Sequence, residues 1–423
     1  MSHPSFDPPA PRLPLRLWVL QAVLAVGFIY TFVSAFWDGW PADLSALYFA
    51  AKSVAIGTPE IIYAAPPDFF SPGTPPEWRD LAVQLGVQDR VILPYLYPPI
   101  WAYALAPVVD HVAPAPFFNV VLIVQMAMLA ALPAIGYAIA RPREVSAQVW
   151  LLVGYGLLAL SAPSLGAIIQ NQPQIAVTFI VMLSILCATR DRPVAAGILM
   201  GLAAAIKLQP ALFGLVFLIH RDWRAAIAMS VSALSLLVLS ILVAGVDLHL
   251  AMLSRLDQIN GMVVYTKVNY ALESLLYHLH AMRAGIPLPD GRTLAVAILD
   301  APAWVEWIPK LLLLVGLATL VRKGRAMSAP ALWLSLTLLG ALFGPLSWGH
   351  YFILPLMLLP ALFHVFSTRA AWAWLAVIGV LFSYPVFSAL IAYNQTGLVS
   401  IVPPLIVMLA LGLRLLTARP PAA

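Results

Sequence analysis

An all-α polytopic membrane protein is the fold class this sequence predicts, with about 12 membrane-spanning helices and a range of roughly 11–13. Three observations carry that expectation. Of 423 residues, 62% are hydrophobic and 10% charged. The mean hydropathy is +0.92. Apolar stretches recur at roughly the 20-residue length that crosses a hydrocarbon core, separated by short connectors holding Arg, Lys, Pro or Gly. No soluble catalytic domain fits between them. The formal charge of +5 sits singly or in short clusters at the ends of apolar runs, a topological pattern that excludes nucleic acid as a partner. The single cysteine, Cys187, lies inside an apolar run, which leaves neither a disulfide framework nor a Cys-based metal site.

In chain order, residues 1–15 are Pro-rich and read as a disordered cytoplasmic tail. Arg12 and Arg16 precede an apolar run from Leu17 to Phe36 that is too long for a cleavable signal, so the first helix is expected near 16–36 with its N-terminus cytoplasmic. Further spans are expected near 116–140, 147–166, 172–189, 225–245, 303–321, 329–347, 350–367, 371–391 and 398–416. One integral domain therefore covers 16–416, and 417–423 forms a cytoplasmic tail. Two segments are ambiguous: 97–112, "YPPIWAYALAPVVDHV", is short for a crossing, and 194–220 is broken by Lys207 and Pro210, which places its backbone against a cavity rather than lipid.

"RDWR" (221–224), "RKGR" (322–325), Arg414 and Arg419 read as cytoplasmic, which leaves two large outer loops at 37–96 and 246–302. Arg141, Arg143, Arg190 and Arg192 cannot all be cytoplasmic if both ambiguous segments cross fully, so the sidedness of 141–193 stays open. In the first outer loop Leu44, Leu47, Tyr48 and Ala51 recur at helical spacing until Gly57-Thr58-Pro59, which predicts a helix lying on the membrane surface. Ala- and Pro-rich composition without eukaryotic sorting signals points to a bacterial inner membrane, with the outer loops and the active site on the periplasmic face.

Asp43 opens that surface helix and admits two readings: an N-cap, or a carboxylate held ionised and aimed for catalysis. Asp38 reads as a solvated helix-end residue. Lys207, in "AAAIKLQPA", is an ammonium within an apolar run; it must snorkel, pair or meet an anion, and a phosphate-bearing ligand is the preferred partner because Pro210 opens the helix there. "QNQPQ" (170–174) supplies Asn171, Gln172 and Gln174, amides able to bind sugar hydroxyls or to form an interhelical polar turn. "GPLSWGHYF" (344–352) sets Trp348 and His350 at an outer membrane edge, the first a belt aromatic or a contact for sugar or acceptor, the second an interface residue or a donor to an anionic headgroup. Tyr97 in "YLYPPIW" is a belt aromatic or a cavity liner. The eight histidines are scattered, and His278 and His280 stand two apart in a loop, so neither a metal nor another cofactor is expected.

Taken in order, "ADLSALYFAAKSVAIGTPEIIY", "LYPPIWAYALAPV", "QNQPQIAVTFIVMLSIL", "RPVAAGILMGLAAAIKLQPALFGLVFLIHRDWRA" and "PLSWGHYFILPLMLLP" resemble family 87 of the glycosyltransferases, the polyprenyl-phosphate-mannose-dependent mannosyltransferases with the C-type membrane fold. The likeness covers roughly residues 15–370 and rests on the order and spacing of five segments rather than on one motif. It implies that Asp43 is the base activating an acceptor hydroxyl. It also implies that Lys207, in "KLQP", and His350, in "SWGH", contact the donor phosphate. Two departures stand out. The family's Asn-Gln-Ser-like stretch is here "VNYALES", leaving Asn269 alone as a sugar- or acceptor-binding residue, and its Gly-Asn/Gln-x-Asn turn reads "NQPQ". The implied donor is a polyprenyl-phosphate sugar, mannose by the likeness, and the implied acceptor a lipid or envelope glycan, with no nucleotide.

The residues suit such a reaction on chemical grounds. A phosphate departs without protonation, so one carboxylate base suffices where a glycosidase needs two carboxyls. Inversion and metal independence follow. A transporter or flippase of a lipid-linked sugar is the alternative, against which stand large asymmetric outer loops and the lack of matched interrupted halves.

Overall fold

The computed structural model describes residues 15–64, 74–258, 262–287, 297–344, 346–393 and 400–418. The two expected tails lie almost wholly outside the described residues. Helix dominates because a backbone N–H in hydrocarbon can bond only within its own segment. Among the described residues, four stretches are long and apolar enough to cross a bilayer unaided: Leu15–Phe36, Pro114–Ala140, Trp223–Asp257 and Ala303–Ala326.

The first of these, α1 (Leu15–Phe36), ends in a left-handed turn at Asp38 (φ 57). Asp38 is more than a solvated end residue: Asn119 Nδ2 donates to its Oδ1 (2.7 Å), and its own amide donates to Asn119 Oδ1 (3.0 Å). Helix α2 (Ala42–Ala55) then forms where the periodicity predicts and stops before Gly57 at φ 84. It does not lie along a surface. Leu44, Ser45, Ala46, Tyr48, Phe49, Ala50, Ala51 and Ser53 are all buried, because α3 (Glu77–Gln84) and α4 (Pro99–Val109) cover it. Trp78 of α3 is wholly buried and donates its indole N–H to Ser53 Oγ (2.9 Å), while Lys52 pairs with Asp110 at the end of α4 (3.1 Å). A second hydrophobic core thus caps the bundle on the Asp43 side.

Contacts give each following element a direction, with the Asp38/Asp43 end taken as outer. Helix α5 (Pro114–Ala140) starts outer at Asn119 and finishes inner, where His364 Nε2 meets the Ala140 carbonyl (2.6 Å). α6 (Ala147–Leu160) and α7 (Ala162–Ile169) climb to a turn at 170–173, α8 (Gln174–Ala188) descends, and α9 (Pro193–Ile206) climbs again. A 3-10 turn (Gln209–Gly214) and α10 (Leu215–His220) lead back to α11 (Trp223–Asp257). α9 and α11 run parallel in backbone contact: a Cβ on Gly197 would stand 2.2 Å from the Ala225 carbonyl oxygen, and one on Gly201 2.6 Å from that of Met229.

Both ends of α4 stay outer, since Tyr97 reaches Gln172 and the Val112 carbonyl accepts the Tyr48 hydroxyl (2.9 Å). The segment 97–112 therefore begins and finishes at the same end of the bundle. That removes the charge conflict, because Arg141, Arg143, Arg190, Arg192, Arg221 and Arg224 all then fall at the inner end. The break in 194–220 is at Lys207 itself, extended at φ −149 and ψ 132, three residues before Pro210.

Helix α11 kinks at Gly245 (φ 80) and continues into the second outer region, so the expected span end near 245 is a bend rather than a stop. There β1 (Met262–Tyr265) pairs antiparallel with β2 (Ala297–Asp300), with Val263 opposite Leu299, and α12 (Leu272–Ala284) lies between them in sequence. α13 (Ala303–Lys323) descends until the Lys323 ammonium donates to the Leu416 carbonyl (3.0 Å) near the end of the chain, and α14 (Ala329–Phe343) ascends. The expected span 350–367 is not one α-helix. A 3-10 turn (Gly349–Phe352), α15 (Ile353–Met357) and a second 3-10 turn (Leu359–His364) carry the chain inward through the middle of the core. α16 (Thr368–Leu381) and α17 (Tyr384–Tyr393) divide the expected span 371–391, joined where the Ala162 amide donates to the Phe382 carbonyl (2.8 Å), and α18 (Val402–Thr417) returns.

Candidate active site

Asp43 stands in the first turn of α2, yet it is not the cap. Pro41 occupies the N-cap position and no side chain caps the helix. The capping reading is thereby corrected: a main-chain geometry set by Pro41 starts this helix, and the carboxylate is turned to other partners. Its backbone amide donates to Gln170 Oε1 (3.2 Å), and its Oδ2 accepts from Gln172 Nε2. Gln172 Oε1 in turn accepts the Tyr97 hydroxyl (3.0 Å).

The turn that presents these amides is tied down locally. Asn171 adopts the left-handed conformation (φ 45), the Gln172 amide donates to the Ala167 carbonyl (2.9 Å), Asn171 Nδ2 donates to the Phe118 carbonyl (2.9 Å), and Gln125 Nε2 donates to the Asn171 carbonyl (3.1 Å). Asn171 is thus anchored to α5 through Nδ2, while its Oδ1 is buried without a described hydrogen-bond partner. Gln174, the first residue of α8, is buried with its Oε1 bonded to no described protein group.

Lys207 leaves α9 at its outer end, a place fixed by the indole of Trp101 donating to the Ala205 carbonyl (3.1 Å). Its ammonium lies over the Tyr351 ring, 4.3 Å from the centroid, a cation–π contact that stabilises a partly desolvated charge without neutralising it. The Lys207 charge acts on Asp43. Burial pushes the Asp43 carboxyl up from 3.8 to about 6, while the Lys207 charge and the Gln172 bond pull it down. The outcome is a carboxyl that titrates closer to neutral pH than an ordinary aspartate. His350 packs edge-on against Tyr351, ring centroids 5.0 Å apart, and its Nε2 is buried without a described hydrogen-bond partner. Asp43, Tyr97, Gln172, Lys207 and His350 therefore come together as one constellation.

Asn269 and Trp348 join it indirectly. Asn269 donates from Nδ2 to the Val264 carbonyl (2.8 Å) and accepts at Oδ1 from the Ala271 and Ser347 amides (both 3.1 Å), so its polar atoms hold backbone instead of facing a sugar. The Tyr270 amide to the Ser347 carbonyl (2.6 Å) and the Gly349 amide to the Val268 carbonyl (2.8 Å) complete a zipper in which Asn269 bridges Trp348. The second outer region thereby fixes the backbone that carries His350. Tyr351 and Gln170 escaped the sequence reading. Each sits inside a segment singled out for a neighbour, and only their spatial contacts distinguish them. Among the described residues, no three His, Cys, Asp or Glu side chains gather where they could hold a metal ion.

A family model described as glycosyltransferase family 87 matches residues 95–349, more than half of the chain. The chain belongs to glycosyltransferase family 87. The match takes in Tyr97, the 170–174 turn, Lys207 and Trp348, while Asp43 lies ahead of it and His350 one residue beyond. Among curated relatives, a polyprenol-phosphate-mannose-dependent alpha-(1-2)-phosphatidylinositol mannoside mannosyltransferase of Mycolicibacterium smegmatis is 24% identical over 310 residues, covering 67% of this chain and 65% of the relative. A polyprenol-phosphate-mannose-dependent alpha-(1-2)-phosphatidylinositol pentamannoside mannosyltransferase of the same organism is 28% identical over 302 residues, 67% and 66% of the two chains. One from Mycobacterium tuberculosis, named as the first is, is 28% identical over 215 residues, 49% and 46%. This family 87 chain thus spans less than two thirds of the length of the curated relatives it matches.

Proposed function

We propose that this chain is a membrane glycosyltransferase that moves mannose from a polyprenyl-phosphate donor to a lipid-linked or envelope glycan acceptor with inversion. The observation that carries the reading is that one carboxylate, Asp43, lies within electrostatic reach of one cation, Lys207, at a break in a membrane helix. A phosphate-linked sugar needs that pair: a base for the incoming hydroxyl and a positive charge for the departing phosphate.

In the proposed step the acceptor oxygen attacks the anomeric carbon in line as the carbon–oxygen bond to phosphate breaks. The acceptor proton passes to Asp43, and both bonding electrons leave with the polyprenyl phosphate. The charge growing on that phosphate meets the Lys207 ammonium, with His350 Nε2 as a second contact. Gln174, whose buried Oε1 has no described partner, and Trp348 are the proposed contacts for sugar or acceptor. Membership of family 87 and the donor named for its mycobacterial relatives support a polyprenyl-phosphate mannose.

Counting 194–220 as two crossings and 97–112 as none gives about twelve crossings, in line with a C-type fold and with both tails on one side. Basic residues gathered at the inner end support a cytoplasmic assignment for that end. The site then opens to the periplasmic face of a bacterial inner membrane. The direct test is to incubate purified protein in detergent with polyprenyl-phosphate mannose and a phosphatidylinositol mannoside and to follow products by mass spectrometry. Glycosylated acceptor with release of polyprenyl phosphate is expected. A carrier, with no second compartment to fill, forms no product, and that outcome would reject the reading.

A further inference from the structure

We infer that Gln172, oriented by Tyr97, is a positioning residue that fixes Asp43 so that Oδ1 takes the acceptor proton. The inference rests on the reading of Asp43 as the base. The orientation of the amide follows from donor and acceptor chemistry. A carboxylate can only accept, so Nε2 must face Asp43 and Oε1 must face Tyr97, whose hydroxyl donates to it at 3.0 Å. With Oδ2 engaged by Gln172, Oδ1 is the carboxylate oxygen to which no protein donor is directed among the described residues.

The hold has two points, because Gln170 from the same turn accepts the Asp43 backbone amide. Main chain and carboxylate are gripped by residues two apart in sequence, on a turn anchored to α5 through Asn171 and Gln125. A neutral amide suits the task. An arginine would engage both oxygens and strongly favour the anion, weakening the base. Gln172 occupies one oxygen and leaves the charge in place. Tyr97 polarises the amide through its carbonyl, strengthening the bond that Nε2 donates. In the transfer step the acceptor O–H bond breaks, the proton binds Oδ1, the new acceptor–carbon bond forms, and the phosphate leaves with its electron pair. The protonated Asp43 then returns its proton to solvent. Gln172 exchanges no atom at any stage. This differs from the sugar-binding role that the "QNQPQ" stretch suggests.

The test is a kinetic cycle in the full-length protein using polyprenyl-phosphate mannose and a phosphatidylinositol mannoside. Gln172→Met, which keeps length and loses both hydrogen bonds, is expected to lower kcat by roughly ten- to a hundredfold, the size of one bond to a charged group. Tyr97→Phe keeps the ring packed near Tyr95 (centroids 5.8 Å) and is expected to cost roughly three- to tenfold, which guards against a Gln172 variant that fails to fold. KM for both substrates should change little in either variant. The acid limb of the pH–rate profile should move to higher pH, since losing a donor bond leaves the carboxylate easier to protonate. Adding Gln172→Met to Asp43→Asn should cost nothing further, because a residue acting only through Asp43 has nothing left to act on.

Three results would overturn the inference: a raised KM with kcat and acid limb unchanged, losses that multiply in the double variant, or an unmoved acid limb. An active Asp43→Asn enzyme would instead remove the base itself, and the functional reading with it.

Discussion

Replacing Asp43 with Asn should make this protein both inactive and more stable. Burial raises the folded carboxyl from 3.8 to about 6, so between those values the native state retains a proton that the unfolded chain has released. Stability therefore falls as pH rises through that window, and the penalty is complete above about pH 6. A shift of that size corresponds to on the order of 2–3 kcal/mol, and it already contains the loss of attraction to Lys207, because protonation and amidation remove the same charge. Asn keeps the shape, can still accept from Gln172, and forfeits no cap because Pro41 holds that position. Differential scanning fluorimetry in detergent should show Asp43→Asn melting a few degrees above wild type at pH 8, with the gap closing below about pH 4. Transfer should fall by about 10²–10⁴-fold, the usual cost of losing a positioned general base. The wild-type rate should itself fall about tenfold per pH unit below about 6. A melting point lowered at pH 8 would refute the burial argument, and a variant that keeps most of its transferase activity would refute Asp43 as the base.

Lys207→Met preserves the aliphatic stem and removes only the charge that lies over Tyr351, so donor turnover should collapse while the melting curve holds; unchanged donor kinetics would leave the ammonium a merely buried cation. Activity should survive excess chelator, since the proposed step uses only a carboxylate and cations of the chain, and loss restored by one divalent ion would refute that. Gly197→Ala forces a methyl against the Ala225 carbonyl at 2.2 Å, so the yield of folded protein should drop by the equivalent of roughly 1–3 kcal/mol; normal expression and melting would show that α9 and α11 can separate at no cost.

Much of the scaffold was legible in the sequence because membrane spans are local facts. Apolar length, basic flanks and glycine stops fixed α1, α2, α5, α14 and α18 to within a few residues, since each satisfies its backbone hydrogen bonds within itself. The candidate polar residues were legible too, because an ammonium such as Lys207 in an apolar run has an energetic cost wherever it lies. Their roles were not. Whether Asp43 caps its helix or faces a cation depends on Gln172, 129 residues away, and on Lys207 beyond it. Asn269 looked like a sugar ligand until the backbone of 264–271 and 347–349 closed around it. The 350–367 run likewise predicts an ordinary span. Only its neighbours show why it need not be one: buried on every side, with the Met357 carbonyl oxygen 2.1 Å from where a Cβ on Gly136 would stand, it has protein rather than lipid against its irregular turns. Sequence periodicity reports how a segment meets its surroundings on average. Which atoms those surroundings contain is decided by contacts distant along the chain, and the chemistry of this site is made of such contacts.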